Sequence, residues 1–205
     1  MTEGLFITLE GIDGSGKTTQ ARLLTERLQS DHIPYLLLRE PGGTTVGESI
    51  RQILLGAAYS ITLETEVLLY AAARAELVKE VIRPALTTGH LVVCDRYIDS
   101  TTAYQGYGAG ENLAWIHTLN EKVTGGLAPR LTFLLDLSVE EALLRRGGGG
   151  DRIEIRNQDY HERVRRGYLI LSELEPERFR VIDASLAPAE QQRIIWQEIN
   201  KYIEK

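Results

Sequence analysis

The 205-residue chain has a single cysteine, no excess of positive charge and no long apolar run, and each shortage removes a class of protein. One thiol, Cys94 in the run Leu91-Val92-Val93-Cys94, excludes an internal disulfide framework and fits a reducing compartment; in that apolar setting it reads as a small buried residue. The formal net charge of -6 argues against a nucleic-acid polymer as partner, because such a partner calls for a clustered basic face. No apolar stretch approaches the ~18 residues of a membrane span, and no basic segment followed by an apolar core opens the chain, so neither a membrane helix nor a signal peptide is expected and the expected location is cytoplasmic. The four histidines have no ligand-like spacing, which argues against a histidine-built metal site. A guanine-reading Asn-Lys-x-Asp is missing as well: Asn200-Lys201 is followed by Tyr202 and Ile203. With no internal repeat and no interdomain linker, residues 1–205 read as a single domain.

What is present begins at residue 11. Gly11-Ile12-Asp13-Gly14-Ser15-Gly16-Lys17-Thr18 is a G-x-x-x-x-G-K-[ST] phosphate-binding loop, set between the apolar run Leu5-Phe6-Ile7-Thr8-Leu9 and an amphipathic helical pattern. Its glycines let backbone N–H groups approach a polyphosphate, Lys17 can bridge terminal phosphates, and the Thr18 hydroxyl can ligate magnesium at a helix N-terminus whose dipole favours anions.

Beyond the loop, strand-like and helix-like segments alternate. Apolar β-rich runs occur at 5–9, 35–38, 91–94, 131–137 and 179–182, with helical periodicity between them. Such alternation predicts an α/β fold, a parallel sheet covered on both faces by helices. Ligands gather at the carboxyl ends of strands in such sheets, which draws attention to Gly11 onward, Arg39-Glu40, Asp95-Arg96, Ser138 onward and Asp183. An aspartate closing a strand next to a phosphate loop, Asp95, is placed to orient magnesium directly or through water, and Arg96 beside it offers a planar fork for a second phosphate. Gly147 to Gly150 reads as either a mobile lid over a site, spanning about residues 145–156, or a plain surface loop, and the flanking Arg145, Arg146, Arg152 and Arg156 favour the lid. The run Asp159, Glu162 and Arg163 reads as a solvated helix face.

Glu10 to Lys17, Arg39-Glu40-Pro41-Gly42-Gly43-Thr44 and Asp95 to Gly106 resemble, in order and spacing, the three signature blocks of bacterial thymidylate kinases. The resemblance extends through Asp151-Arg152-Ile153-Glu154 and Val181-Ile182-Asp183-Ala184. It implies a five-stranded parallel sheet of the nucleoside monophosphate kinase type with a short glycine-rich lid, acting as a homodimer. It also implies in-line transfer of the γ-phosphoryl group of ATP to dTMP, giving dTDP, with Mg2+ as cofactor. The ATP loop would comprise Gly11, Gly14, Ser15, Gly16, Lys17, Thr18 and Thr19, and the metal would be held by Thr18 and, through water, by Asp95. Asp13, Arg51, Tyr70, Arg74, Arg96, Thr101, Tyr104 and Gln105 would bind dTMP, with Tyr70 stacked on thymine, Arg74 donating to a base carbonyl, Tyr104 leaving no room for a 2′-hydroxyl, and Asp13 near the sugar and acceptor. Lys17, Asp13, Arg96 and Arg152 would carry catalysis. The phosphate loop holds no arginine, so the resemblance assigns charge neutralisation in the transition state to Arg152 of the lid. Many relatives place further arginines where this chain has its glycines. Ala184, Ser185 and Leu186 are expected against adenine, and the peptide before Pro41 is a candidate for the cis form. A noncatalytic ATP-binding module would use the same loop and Asp95, yet it leaves Arg74, Arg96 and Tyr104 without a task. A kinase for a deoxynucleoside would not need acceptor-phosphate arginines.

Overall fold

Five short strands, β1 (Phe6–Glu10), β2 (Tyr35–Arg39), β3 (Leu91–Asp95), β4 (Leu131–Asp136) and β5 (Phe179–Asp183), make one parallel sheet in the order β2-β3-β1-β4-β5. The computed structural model describes residues 4–56, 59–147 and 150–203. Every expected strand is found, with ends shifted by about one residue. In β1, β2, β3 and β5 the shift has a cause: ladder pairing continues past the apolar run onto the charged residue that follows, as in the register Arg39↔Asp95, whereas β4 stops one residue short of its run, at Asp136. The charged side chains are thereby delivered to one edge of the sheet.

Nine α-helices are formed among the described residues: α1 (Lys17–Ser30), α2 (Thr45–Leu55), α3 (Leu63–Leu77), α4 (Arg83–Thr87), α5 (Ile98–Thr101), α6 (Leu113–Thr124), α7 (Val139–Arg146), α8 (Gln158–Leu174) and α9 (Pro188–Ile203). Thr44, Thr62, Asn112, Ser138 and Asn157 each accept a backbone N–H of the following turn and fix where α2, α3, α6, α7 and α8 begin. Two helices widen into π-helical turns, Val78–Ile82 between α3 and α4 and Thr102–Gly108 after α5. The first runs into Pro84, which has no N–H to continue an ordinary ladder. The second lies close against α8, where Gly108 is required: a Cβ there would sit 2.6 Å from Val164 and 2.8 Å from Tyr160.

Alternate residues of the central strands pack to opposite faces. Phe6, Val92 and Cys94 join Leu77, Ile82 and Tyr97 on one side. On the other, Ile7, Leu9 and Val93 meet Leu24 and Leu28 of α1 and Ile195 and Ile199 of α9, in a core that also takes in Phe133, Val164 and Tyr168. Cys94 is a fully buried free thiol, as its apolar setting predicts. Among the described residues no helix is long and apolar enough to cross a membrane. Phe133 is fully buried at the centre of the larger core, so Phe133→Ala should cost about 3–5 kcal/mol of unfolding free energy, measured by urea denaturation.

Candidate active site

The turn from β1 into α1 is shaped by glycines that no other residue could replace. Gly14, at φ 89°, lies so close to α7 that a Cβ would fall 2.3 Å from the Ala142 carbonyl oxygen; at Gly11, φ 137°, one would fall 2.6 Å from that of Leu135. Gly16 stands at the N-cap of α1 and no side chain caps the helix, so its first N–H groups are left for an anion. The buried Lys17 folds back, its Nζ donating to the Gly11 and Ile12 carbonyls at 3.0 Å each. Burial and the neighbouring Arg96 lower its pKa, while Asp13, Asp95 and Glu10 oppose that shift.

A cleft of about 790 Å³ opens in front of this loop. It is lined by Asp13, Gly14, Ser15, Gly16, Lys17, Thr18 and Thr19, by Arg39, Arg51, Tyr70, Arg74, Asp95 and Arg96, and by Thr101, Tyr104 and Gln105. The structure therefore brings nearly all the expected site residues to one cavity. At its far end lie Ser185, Leu186 and Gln191, whereas Ala184 is buried and offers its carbonyl to Arg145 and Gln191. Ser138 and Asp183 are not among the lining residues; the first caps α7 and the second binds the Ser185 hydroxyl.

Arg96 is the centre of the near wall. It sits at φ 73°, a left-handed conformation costly for a side-chain-bearing residue. Nη2 donates to Asp13 Oδ1 at 2.5 Å and to the Tyr104 hydroxyl at 3.1 Å. Nη1 reaches the Gly11 carbonyl at 3.1 Å, Ser100 Oγ at 3.2 Å and the Tyr168 hydroxyl at 3.4 Å. Tyr104 donates in turn to Asp13 Oδ2 at 2.9 Å. Burial alone would raise the Asp13 pKa, but Arg96, Lys17 and these hydrogen bonds hold its carboxyl well below the usual range. Behind them the buried Glu10 accepts from the Tyr97 backbone N–H at 2.7 Å, from Ser100 at 2.7 Å and from Tyr168 at 2.8 Å. Burial, and next the nearby Asp99, push Glu10 up to about 7 against the pull of Ser100, Arg96 and Tyr168.

Arg74 is 1% exposed and forms the floor of the opposite wall. Its Nε donates to Glu40 Oε2 at 2.8 Å, Nη1 to Asn120 at 2.6 Å, and Nη2 to the Tyr97 carbonyl at 3.1 Å and Thr101 Oγ1 at 2.9 Å. A guanidinium between alanines demands an acceptor, and Glu40 supplies one within the chain. Arg51 donates to the Pro41 carbonyl at 2.9 Å, across the cis Glu40-Pro41 peptide. Arg39 ends β2 and pairs with Glu48 at the surface. Tyr70 is half-buried, and burial, followed by Glu66, raises its phenol pKa.

Arg152 does not lie among the residues lining the cleft. Its Nη2 donates to Glu66 at 2.6 Å and its Nε to the Leu54 carbonyl at 3.1 Å; Arg156 joins the same carboxylate at 3.1 Å and lies over the Tyr160 ring. Arg145 and Arg146 do line the cleft. Of the lid glycines, Gly148 and Gly149 lie outside the described residues. Arg163, expected on a solvated face, also donates from Nε and Nη2 to the Gly108 carbonyl.

Asp95 Oδ1 and Ser15 Oγ are buried without a hydrogen-bond partner among the described residues, and Thr18 is exposed in the same cleft. An unpaired carboxylate oxygen and two hydroxyls, all oxygen donors beside a phosphate loop, fit a hard divalent cation such as Mg2+. Glu66, Asn120 and Tyr168 lie outside every segment singled out in the sequence, and Glu10, Glu40 and Ser100, though inside such segments, have no role assigned to them there. The side chains they bind lie at least 34 residues away along the chain, apart from the short Ser100–Arg96 contact, so pattern and periodicity do not expose these pairings.

Comparison with known proteins agrees with this geometry. The family model described as thymidylate kinase matches residues 9–195. A thymidylate kinase of Symbiobacterium thermophilum is 49% identical over 93% of this chain and 90% of its own length. One from Deinococcus radiodurans is 47% identical over 98% of each. The crystal structure of thymidylate kinase from Ehrlichia chaffeensis, 35% identical, superposes with a TM-score of 0.79 over 97% of this chain and 99% of its own.

Glu10 provides a pH test of the site's scaffold. An acid whose folded pKa is raised binds more protons folded than unfolded between the two values, so its contribution to stability falls as pH rises from about 4.5 towards about 7. Glu10→Gln removes that dependence. Relative to the parent, the variant should gain about 2–3 kcal/mol between pH 4.5 and pH 8, read from denaturation curves at each pH.

Proposed function

The chain belongs to the thymidylate kinase family, and on that premise we propose how its cleft binds the two nucleotides and transfers phosphate between them. The enzyme is an ATP:dTMP phosphotransferase that makes dTDP for dTTP synthesis. Phosphoryl transfer needs little covalent help; it needs donor and acceptor phosphates held in line and their charge neutralised.

The donor phosphates enter the open N-terminus of α1, against the amides of Gly14, Ser15, Gly16, Lys17, Thr18 and Thr19. Lys17 exchanges the Gly11 and Ile12 carbonyls for the β- and γ-phosphate oxygens. Magnesium, when bound, neutralises charge on those oxygens, and Thr18 and Asp95, the latter through water, are the residues placed to hold it.

The acceptor enters from the other wall. Arg96 holds the 5′-phosphate, with Arg51 as a second cation. Asp13, tied to Arg96 and Tyr104, orients the guanidinium and accepts from the sugar 3′-hydroxyl. Tyr104 closes the space a 2′-hydroxyl would need. Tyr70 covers one face of thymine, Arg74 donates its remaining Nη1 proton to a base carbonyl, and Thr101 and Gln105 border the base edge. Arg152, released from Glu66, completes charge neutralisation from the lid at 145–156. Residues 1–205 act as a single kinase domain, and the active form is a cytoplasmic homodimer.

The observation that carries this reading is the opposition, in one cleft, of an uncapped helix N-terminus to a half-buried arginine on a left-handed residue. One wall suits a polyphosphate and the other a second phosphate. ADP release with ATP and magnesium tests it against dTMP, dUMP, dCMP, AMP and thymidine. Turnover should be strongest on dTMP and lost on thymidine; turnover on thymidine would remove the role given to Arg96. Lys17→Ala should lower kcat roughly 10²–10³-fold or more while dTMP binding changes little.

A further inference from the structure

Glu66 lies in α3, one turn ahead of Tyr70, and is 1% exposed. Its Oε2 accepts from Arg152 at 2.6 Å and Arg156 at 3.1 Å, and its Oε1 accepts from Gln105 Nε2 at 2.7 Å. Both Glu66 oxygens thus already face N–H donors, and the carboxylate serves here as an acceptor. A carboxylate oxygen placed this way accepts, so the nitrogen end of the Gln105 amide is the end that faces it. The oxygen end is thereby turned elsewhere. Among the described residues, Gln105 Oε1 accepts no hydrogen bond, and the residue lines the cleft.

We propose that Glu66 is a specificity-determining residue that acts through Gln105, locking its amide with the carbonyl towards the base so that the pocket requires a donor on the base edge. The inference rests on the reading that Gln105 borders the base. Thymine and uracil carry a proton on N3, whereas cytosine has a lone pair there. A glutamine free to flip would offer its NH2 to cytosine; one held by Glu66 offers only an acceptor, and two lone pairs then face each other. Arg156, which shares the Glu66 carboxylate with Arg152, enters this selection indirectly, keeping that carboxylate in place when Arg152 is released. Glu66 is thus a positioning residue for base choice, one turn from the ring that stacks on the base.

The test is Glu66→Gln, with kcat/KM measured for dTMP, dUMP and dCMP. A glutamine at 66 can donate or accept, so the Gln105 amide is freed to flip. The dTMP/dCMP ratio should fall about tenfold, the scale of one unsatisfied buried polar contact, while dTMP/dUMP stays constant because N3–H is common to both. An equal loss on all three substrates would overturn the proposal and leave Glu66 a purely structural anchor. Glu66→Asp keeps the charge but shortens the reach to Gln105; it should lower the same ratio, and it serves if the glutamine variant does not fold. Gln105→Leu separates the two layers of the argument. If it changes the dTMP/dCMP ratio and neither Glu66 variant does, the inference about Glu66 fails alone; if it leaves the ratio unchanged, the placement of Gln105 against the base fails and the inference falls with it.

Discussion

The Asp13–Arg96 pair is the constraint on which the rest of the site depends. Asp13 comes from the phosphate loop and Arg96 from the end of β3, so their 2.5 Å contact ties the two walls of the cleft together. Every nearby polar group is arranged around it. Tyr104 bridges the two, Gly11 lends a carbonyl, and Glu10 holds Ser100 and Tyr168 so that their oxygens meet the same guanidinium. The left-handed backbone at Arg96 is the cost of aiming that side chain back along the sheet edge, and Glu10 braces the turn by binding the very next N–H. A cation so placed is already oriented before any anion arrives, which is how fixed charge acts most strongly.

A second network repeats the logic on the opposite wall of the cleft. Arg74 and Glu40 are both buried, and such a pair is poor evidence for stability, because desolvation consumes much of its attraction. Its value here is positional. With Nε and Nη2 committed to Glu40, Tyr97 and Thr101, the guanidinium plane is fixed against the cleft floor. Glu66 does the same for Gln105. Three buried carboxylates, Glu10, Glu40 and Glu66, thus each hold a polar group that meets the cleft, and none of them needs to touch a substrate.

Much of this was legible in the sequence, and the boundary is physical. The sheet was readable because parallel strands buried on both faces are near-continuous apolar runs, and the loop because its glycines sit where any Cβ would strike the Ala142 or Leu135 backbone. Asp95, Arg96, Tyr70 and Arg74 were readable from strand ends and helical spacing together with a family resemblance. The tasks of the supporting carboxylates were not: Glu10 and Glu40 stand in segments the sequence marks but without a visible partner, and Glu66 meets Gln105 and Arg152 across 39 and 86 residues with nothing local to mark it. Arg152 shows the same limit from the other side: its residue type suggests phosphate, while its position in this structure is set by Glu66 and the Leu54 carbonyl.

The central claim is that Arg96 is built to hold the acceptor's phosphate. Titration calorimetry of dTMP and of thymidine against the parent enzyme and Arg96→Met measures it directly. The account predicts that the parent binds dTMP far more tightly than thymidine and that the variant loses most of this difference, with thymidine affinity little changed. Equal weakening of both ligands would contradict it, placing Arg96 in the framework of the loop rather than at the phosphate.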